Sequence, residues 1–216
     1  MEYLTTYYRQ QGEEGCSLLL QQYLCRQVPV CFACLCTAEG EEGSEVCKVM
    51  IDRFLGWCRK VPWHRAAKRP AAWLERFEAE LTDLSKDCVK LTLLLGIAEE
   101  ILVLGGGQNI ILLNTSFGKG KATGLPGQFR GCLESGAGLL LATDGFMKKA
   151  EGKGLEEALR LSEIRTAEQA ERHLKEIAAP VGPTKSIKNV QGKESVSEEP
   201  VAAILLVGRG GDCVYK

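Results

Sequence analysis

The spacing of apolar residues changes along the chain and predicts where extended and helical segments lie. A short apolar run in Gln27–Cys36, bounded by polar residues, predicts a strand. A helix is expected next, with Ser44 as its N-cap. The apolar stripe of this helix consists of Val46, Val49, Met50, Phe54 and Trp57.

The region after this helix predicts an exposed connection and a second helix. Two prolines bound the basic stretch VPWHRAAKRP, which indicates a solvent-exposed connection. The helix that follows is expected from about Ala71 to about Leu84.

From Val89 onward, short apolar runs separated by glycine predict a strand meander. The triplet Gly105-Gly106-Gly107 is expected to form a hairpin rather than a dinucleotide-binding loop, because another strand follows it and no helix does. A buried strand, GAGLLLATDGF, is predicted to end at Asp144-Gly145.

The last third of the chain predicts two helices and a closing strand. The first helix is expected over Gly154–Glu163, and the second begins at Thr166, with Gln169 three residues later as a capping box. A polar stretch over Pro180–Pro200 precedes the strand VAAILLVG and a short partner, DCVYK. Grouped strands with grouped helices predict an α+β sandwich of mostly antiparallel sheets.

Length and charge narrow the functional classes. At 216 residues the chain is expected to form a single domain, 1–216. A net charge of −1 gives no long-range field to recruit nucleic acid or an anionic membrane. No secretory signal is recognisable and no apolar run approaches the roughly 20 residues of a membrane span, so a cytoplasmic location is expected.

The chain contains ten cysteines, and their spacing decides how to interpret them. On a strand, Cys34 and Cys36 share one face while Cys31 takes the other, so the three do not converge on one ion. No second Cys-x-x-Cys or Cys/His pair completes a zinc site. These residues are predicted to be buried core thiols in a reducing compartment.

Four strings, in order, resemble a bacterial-like phosphatase of the PPM (protein phosphatase type 2C) class. VCFACLCTAEGEEGSEVCKVMIDRF resembles the strand, metal loop and first helix of that class. ILVLGGGQNIILLN resembles its hairpin, LESGAGLLLATDGFMKKA its S-D-G motif, and SEEPVAAILLV its closing acid motif and last core strand. The resemblance implies a four-layer α-β-β-α sandwich with two mostly antiparallel sheets.

The same resemblance implies a pair of Mg²⁺ or Mn²⁺ ions held by acids at strand ends, where they activate a water that attacks phosphorus. Thr37 stands where the class has its shared bridging acid, and Ala38 replaces the following glycine. Three positions are the candidate metal ligands that remain: Asp144, Glu199 and Glu14, with Glu13 as an alternative to Glu14. Arg9 is the candidate phosphate-binding residue.

Asp144-Gly145 has two interpretations, a metal ligand at a strand end or an ordinary turn with glycine at positive φ. The eroded acid set predicts a degenerate phosphatase-like domain with a binding or regulatory role, whose partner is a protein or phosphoprotein. The alternatives are a divergent Mg²⁺/Mn²⁺-dependent serine/threonine phosphatase and an unrelated α+β interaction domain. Helices flanking a single sheet would indicate the last of these.

Overall fold

Two five-stranded antiparallel sheets, stacked face to face, form the centre of the protein. The computed structural model describes residues 2–10, 15–38, 42–81, 90–114, 121–125, 127–151, 154–179 and 199–210. The strands are β1 Glu2–Arg9, β2 Cys16–Cys25, β3 Val28–Thr37, β4 Lys90–Ile97, β5 Glu100–Gly105, β6 Asn109–Asn114, β7 Lys121–Gly124, β8 Gln128–Cys132, β9 Gly138–Ala142 and β10 Ala202–Arg209. The helices are α1 Gly43–Lys60, α2 Trp63–Ala66, α3 Pro70–Leu81, α4 Asp144–Ala150, α5 Leu155–Leu159 and α6 Ala167–Ala178.

Helices cover the outer face of each sheet. The first sheet has the order β1-β10-β9-β6-β7, and α4 and α6 pack on it. The second has the order β2-β3-β4-β5-β8 and is covered by α1 and α3. A third apolar cluster fills the space between the sheets. The four-layer α-β-β-α sandwich is confirmed, and the stacked sheets rule out helices flanking a single sheet.

Side-chain alternation along β3 explains how one strand serves two cores. Cys34 and Cys36 pack toward α1, whereas Cys31 and Leu35 face the inter-sheet core. All three cysteines are free thiols with no exposed surface, as predicted. Burial raises the pKa of Cys31 to about 12, because a thiolate is poorly solvated there.

Two helix predictions are confirmed, and several local details differ. Helix α3 matches the expected second helix, and the capping box of Thr166 and Gln169 is present at the start of α6. Helix α1, however, begins at Gly43 with no side-chain cap, so the assignment of Ser44 as N-cap is wrong. Val46 and Val49 are exposed, because the buried stripe of α1 runs through Cys47, Met50, Phe54 and Cys58.

The connection between α1 and α3 is more structured than the sequence predicts. It contains the short helix α2, and its Ala66 is fully buried. Trp63 stacks on Phe32 with ring centroids 5.8 Å apart and meets Trp57 edge-on at 6.5 Å. Aromatic packing therefore holds this basic segment against the second sheet.

The glycine triplet does not form a hairpin. Strand β5 pairs with β4 and β8, whereas β6 pairs with β7 and β9 in the other sheet. The triplet therefore carries the chain from one sheet to the other. The helix expected over Gly154–Glu163 is limited to α5, and the expected last strand is β10, while its proposed partner DCVYK lies outside the described residues.

Candidate functional site

Polar side chains converge at one end of the sandwich, where several strands of both sheets begin or end. Strand β3 ends at Thr37, and its register partner Lys90 begins β4. In the other sheet Asn109 begins β6 opposite Ala142, the last residue of β9. Asp144 follows β9 after one intervening residue. These positions place residues from both sheets around the open end of the inter-sheet core.

Asp144 begins a helix rather than a turn, and Thr143 fixes that beginning. The Thr143 hydroxyl accepts a hydrogen bond from the backbone N–H of Phe146, as an N-cap does. It also accepts from the N–H of Ala202 at 3.0 Å and donates to the Ala202 carbonyl at 3.2 Å. Thr143 therefore ties the start of α4 to β10, and the interpretation of Asp144-Gly145 as a positive-φ turn is wrong.

Two donors bind the Asp144 carboxylate. Lys90 Nζ donates to Oδ2 at 2.9 Å, and Asn109 Nδ2 donates to Oδ1 at 2.8 Å. These hydrogen bonds, that from Lys90 first, lower the pKa of Asp144 below its ordinary value because they stabilise the charged form. Asp144 is therefore an ionised carboxylate at neutral pH, and both of its oxygens already accept a hydrogen bond.

The segment Gly107–Asn109 lies against Lys90 and its acceptor. Gly107 has φ of 75°, and a Cβ there would lie 2.6 Å from Lys90 Cγ. Gln108 Nε2 donates to Thr37 Oγ1 at 2.8 Å and to the Lys90 carbonyl at 3.3 Å. The missing side chain at Gly107 leaves room for the Lys90 stem, and Gln108 holds the backbone on which that stem is mounted.

Glu199 comes near the site through its backbone, but its carboxylate has another partner. A Cβ on Gly145 would lie 2.6 Å from the carbonyl oxygens of Glu199 and Pro200, so the two segments are in close contact. The Glu199 carboxylate lies 2.8 Å from Lys148 Nζ, in an ion pair on α4. The structure thus brings the segments of Asp144 and Glu199 together and directs each carboxylate to a different lysine.

Arg9 ends β1 at the same end of the sandwich, opposite Ala202. A hydrogen bond from Cys36 lowers the pKa of Cys47, and the positive charge of Arg9 adds to this effect. The next residue, Gln10, accepts from Lys149 at 2.9 Å. The other sequence candidates, Glu13 and Glu14, lie outside the described residues.

The described residues do not fit a divalent ion. Mg²⁺ and Mn²⁺ are bound through oxygen ligands, chiefly carboxylates. Within the described part of the chain, no three His, Cys, Asp or Glu side chains come together in a way that could hold a metal. A dication about 4 Å from the Lys90 ammonium would be repelled by about 8 kcal/mol at an effective dielectric of 20 and by about 2 kcal/mol in bulk water. Asp144 and Lys90 are about half exposed, so this repulsion lies between these limits, and the attraction of the same ion to the Asp144 carboxylate opposes it.

Sequence reasoning identified Asp144 and missed the residues that bind it. Lys90 is the one charged residue of β4, which is a visible signal, but its partner is 54 residues away in sequence. Asn109 and Gln108 are ordinary polar residues after a glycine turn. The signal for Thr143 was present in the sequence, because a threonine followed by an acid in the first turn is typical of a helix start.

Comparisons with solved structures show what this architecture is similar to. PppA of Pseudomonas aeruginosa shares 16% identity, with a TM-score of 0.54 over 96% of this chain and 98% of that one. RsbX in complex with magnesium shares 14%, with a TM-score of 0.53 over 94% and 93%. The catalytic domain of the serine/threonine phosphatase PstP, with 2 manganese ions, shares 14%, with a TM-score of 0.51 over 96% and 100%.

The sequence matches no protein-family profile and no curated protein. Among the described residues, no helix combines the length and apolar character needed to cross a membrane. The structural likeness extends over nearly the whole chain at low identity. The protein therefore has the fold of the PPM-type serine/threonine phosphatases.

Proposed function

We propose that this protein is a phosphatase-like domain that has lost metal-dependent hydrolysis and acts by binding a protein or phosphoprotein partner. One observation carries the proposal: among the described residues, the groups that contact the Asp144 carboxylate are an ammonium and an amide N–H, not the carboxylates that a two-metal centre needs. A metal-activated nucleophile requires a metal held with an open coordination position. Each Asp144 oxygen that such an ion would use already accepts one hydrogen bond, from Lys90 or from Asn109.

Exposed apolar side chains support a binding role. Leu24 is 65% exposed and Tyr7 is 51% exposed, and they lie on β2 and β1, each of which is one of the two edge strands of its sheet. These edges lie side by side, since Thr5 Oγ1 donates to Gln22 Oε1 at 2.9 Å. Apolar groups on open strand edges favour contact with another polypeptide. The free, buried thiols of β3 suit a reducing compartment, so the domain is expected to act in the cytoplasm.

The second candidate is a divergent Mg²⁺/Mn²⁺-dependent serine/threonine phosphatase. Asp144 favours it, because an ionised carboxylate at the end of a core strand is a metal-ligand type in the expected position. That candidate requires further acids to join Asp144, with Glu199 released from Lys148.

Turnover of p-nitrophenyl phosphate and of a phosphoserine peptide at saturating Mn²⁺ separates the two candidates. We expect the wild-type rate to equal the rates of Asp144→Asn and of an Asp52→Asn control, a substitution on the exposed surface of α1. Chelator-sensitive turnover that Asp144→Asn abolishes and Asp52→Asn preserves would contradict the proposal. Crosslinking in cell extract, with Leu24→Ser as the comparison, then tests whether a partner contacts β2.

A further inference from the structure

The ion pair between Lys90 and Asp144 connects the two sheets. Lys90 is the first residue of β4 in the second sheet, and Asp144 follows β9 of the first sheet. Alternation along β4 shows which face of the sheet Lys90 is on. Leu94, four residues further along the strand, lies in the inter-sheet core, whereas Leu91 and Leu93 face the helices. The Lys90 side chain therefore starts on the inter-sheet face and reaches across the open end of the core.

The path of this side chain is built into the surrounding residues. Gly107 leaves the space through which the aliphatic stem passes, and its φ of 75° suits glycine. Gln108 binds the backbone carbonyl of Lys90, and Asn109 binds the second oxygen of the same Asp144 carboxylate. Three consecutive residues thus support one lysine and its acceptor.

An ordinary surface ion pair looks different in this protein. Lys48 and Glu45 lie one helical turn apart on α1, 3.4 Å from each other, and both are mostly exposed. That pair links two residues of the same helix and holds no other part of the fold. Lys48 is therefore a matched control for Lys90.

We propose that Lys90 is the resident cation of this site: its ammonium holds the Asp144 carboxylate and joins the ends of the two sheets, where the described side chains do not accommodate a divalent ion. The inference rests on the proposed function and deepens it, because it names the group of this chain that replaces a metal. The proposal predicts that the stability of the fold does not depend on divalent ions, and that a single substitution at position 90 makes it depend on them.

The first test is thermal unfolding in the presence of chelator. Lys90→Ala is expected to lower the melting temperature by about 2 °C or more, and Lys48→Ala by less than half as much. In an Asp144→Asn background Lys90→Ala should cause no further loss, because its acceptor is already neutral. Lys90→Arg, which keeps the charge, should retain most of the wild-type melting temperature.

The second test introduces an acid in place of the ammonium. A glutamate side chain reaches one atom less far than lysine, so Lys90→Glu leaves space for an ion between two carboxylates. We expect Lys90→Glu to melt below wild type in chelator and to regain several degrees on addition of Mn²⁺. Lys90→Gln, its neutral isostere, should show no Mn²⁺ response, and neither should the wild type.

The outcomes separate this inference from the proposed function. In one outcome the wild type shows no Mn²⁺ response, Lys90→Ala melts like Lys48→Ala, and Lys90→Glu also shows no Mn²⁺ response. This outcome refutes the role of Lys90, while the proposed function stands. If the wild type itself gains stability with Mn²⁺, both are wrong. The predicted pattern of the four position-90 variants supports the role of Lys90 and the loss of metal binding on which the proposed function depends.

Discussion

Two buried threonines should respond differently to the same substitution. The hydroxyl of Thr143 makes three hydrogen bonds, one to the N-terminus of α4 and two to Ala202 at the start of β10. Thr92 is fully buried in β4, and its hydroxyl has no hydrogen-bond partner among the residues that the structure describes. Valine has nearly the shape of threonine, so a Thr→Val change removes the hydroxyl with little change in packing.

The magnitudes follow from what each hydroxyl does. Thr143→Val removes a helix cap, at about 1 kcal/mol, and leaves the buried Ala202 N–H without that partner, at about 1–3 kcal/mol, while the Ala202 carbonyl keeps its bond from the Thr143 backbone N–H. The total of about 2–4 kcal/mol corresponds to a drop of roughly 5 to 15 °C in the melting temperature for a domain of this size. Thr92→Val removes an unpaired buried hydroxyl and should be neutral or stabilising, by up to about 2 kcal/mol.

The assay is thermal unfolding followed by circular dichroism, with Thr143→Ser as a further control. Serine keeps the hydroxyl and loses only a methyl group, so it should retain more stability than Thr143→Val. Equal losses for Thr143→Val and Thr92→Val would refute the reasoning, because they would show that the hydrogen bonds of Thr143 contribute nothing beyond side-chain shape.

Three further predictions use other features of the fold. Gly145→Ala should lower the free energy of unfolding by about 1–3 kcal/mol, because the new Cβ would lie 2.6 Å from backbone oxygens. Gly56→Ala, in the interior of α1, adds a Cβ that contacts nothing and should raise it by about 0.5–1 kcal/mol, and urea unfolding of both variants measures the difference. Because the pKa of Asp144 is lowered, its ion pair stabilises the fold above the carboxyl's ordinary pKa of 3.8, and this stabilisation is lost as the pH falls further. The difference in unfolding free energy between wild type and Asp144→Asn, at most about 1 kcal/mol for this half-exposed pair, should therefore disappear in acid. A difference that persists in acid would contradict the stabilising role of the ion pair. An alkylating reagent followed by peptide mass mapping should label the exposed Cys132 in the native protein and reach Cys31 only on unfolding; early labelling of Cys31 would contradict its burial.

Sequence patterns predicted those elements of the fold that depend on residues close together in the chain. The strand around Cys34, the helix α3 and the capping box at Thr166 each depend on a short stretch of sequence. The alternation of cysteines across β3 followed from strand geometry alone. The edge strands β1 and β2 gave no comparable signal, because they are only partly buried and their apolar residues do not alternate strictly.

The arrangement of strands in sheets and the binding of Asp144 could not be predicted in this way. The triplet Gly105–Gly107 does not indicate that β6 joins a different sheet from β5. The contact between Lys90 and Asp144 depends on that same crossing, since it brings the starts of β4 and β6 together. The sequence therefore identified an isolated acid, and only the assembled sheets show that a lysine binds it.

The most direct test of the central claim is calorimetric titration of Mn²⁺ into chelator-treated wild-type protein. The donors that surround Asp144 predict no binding of two ions with appreciable affinity. Tight binding of two Mn²⁺ ions would contradict the account, because it would require acids to replace Lys90 and Asn109 around Asp144.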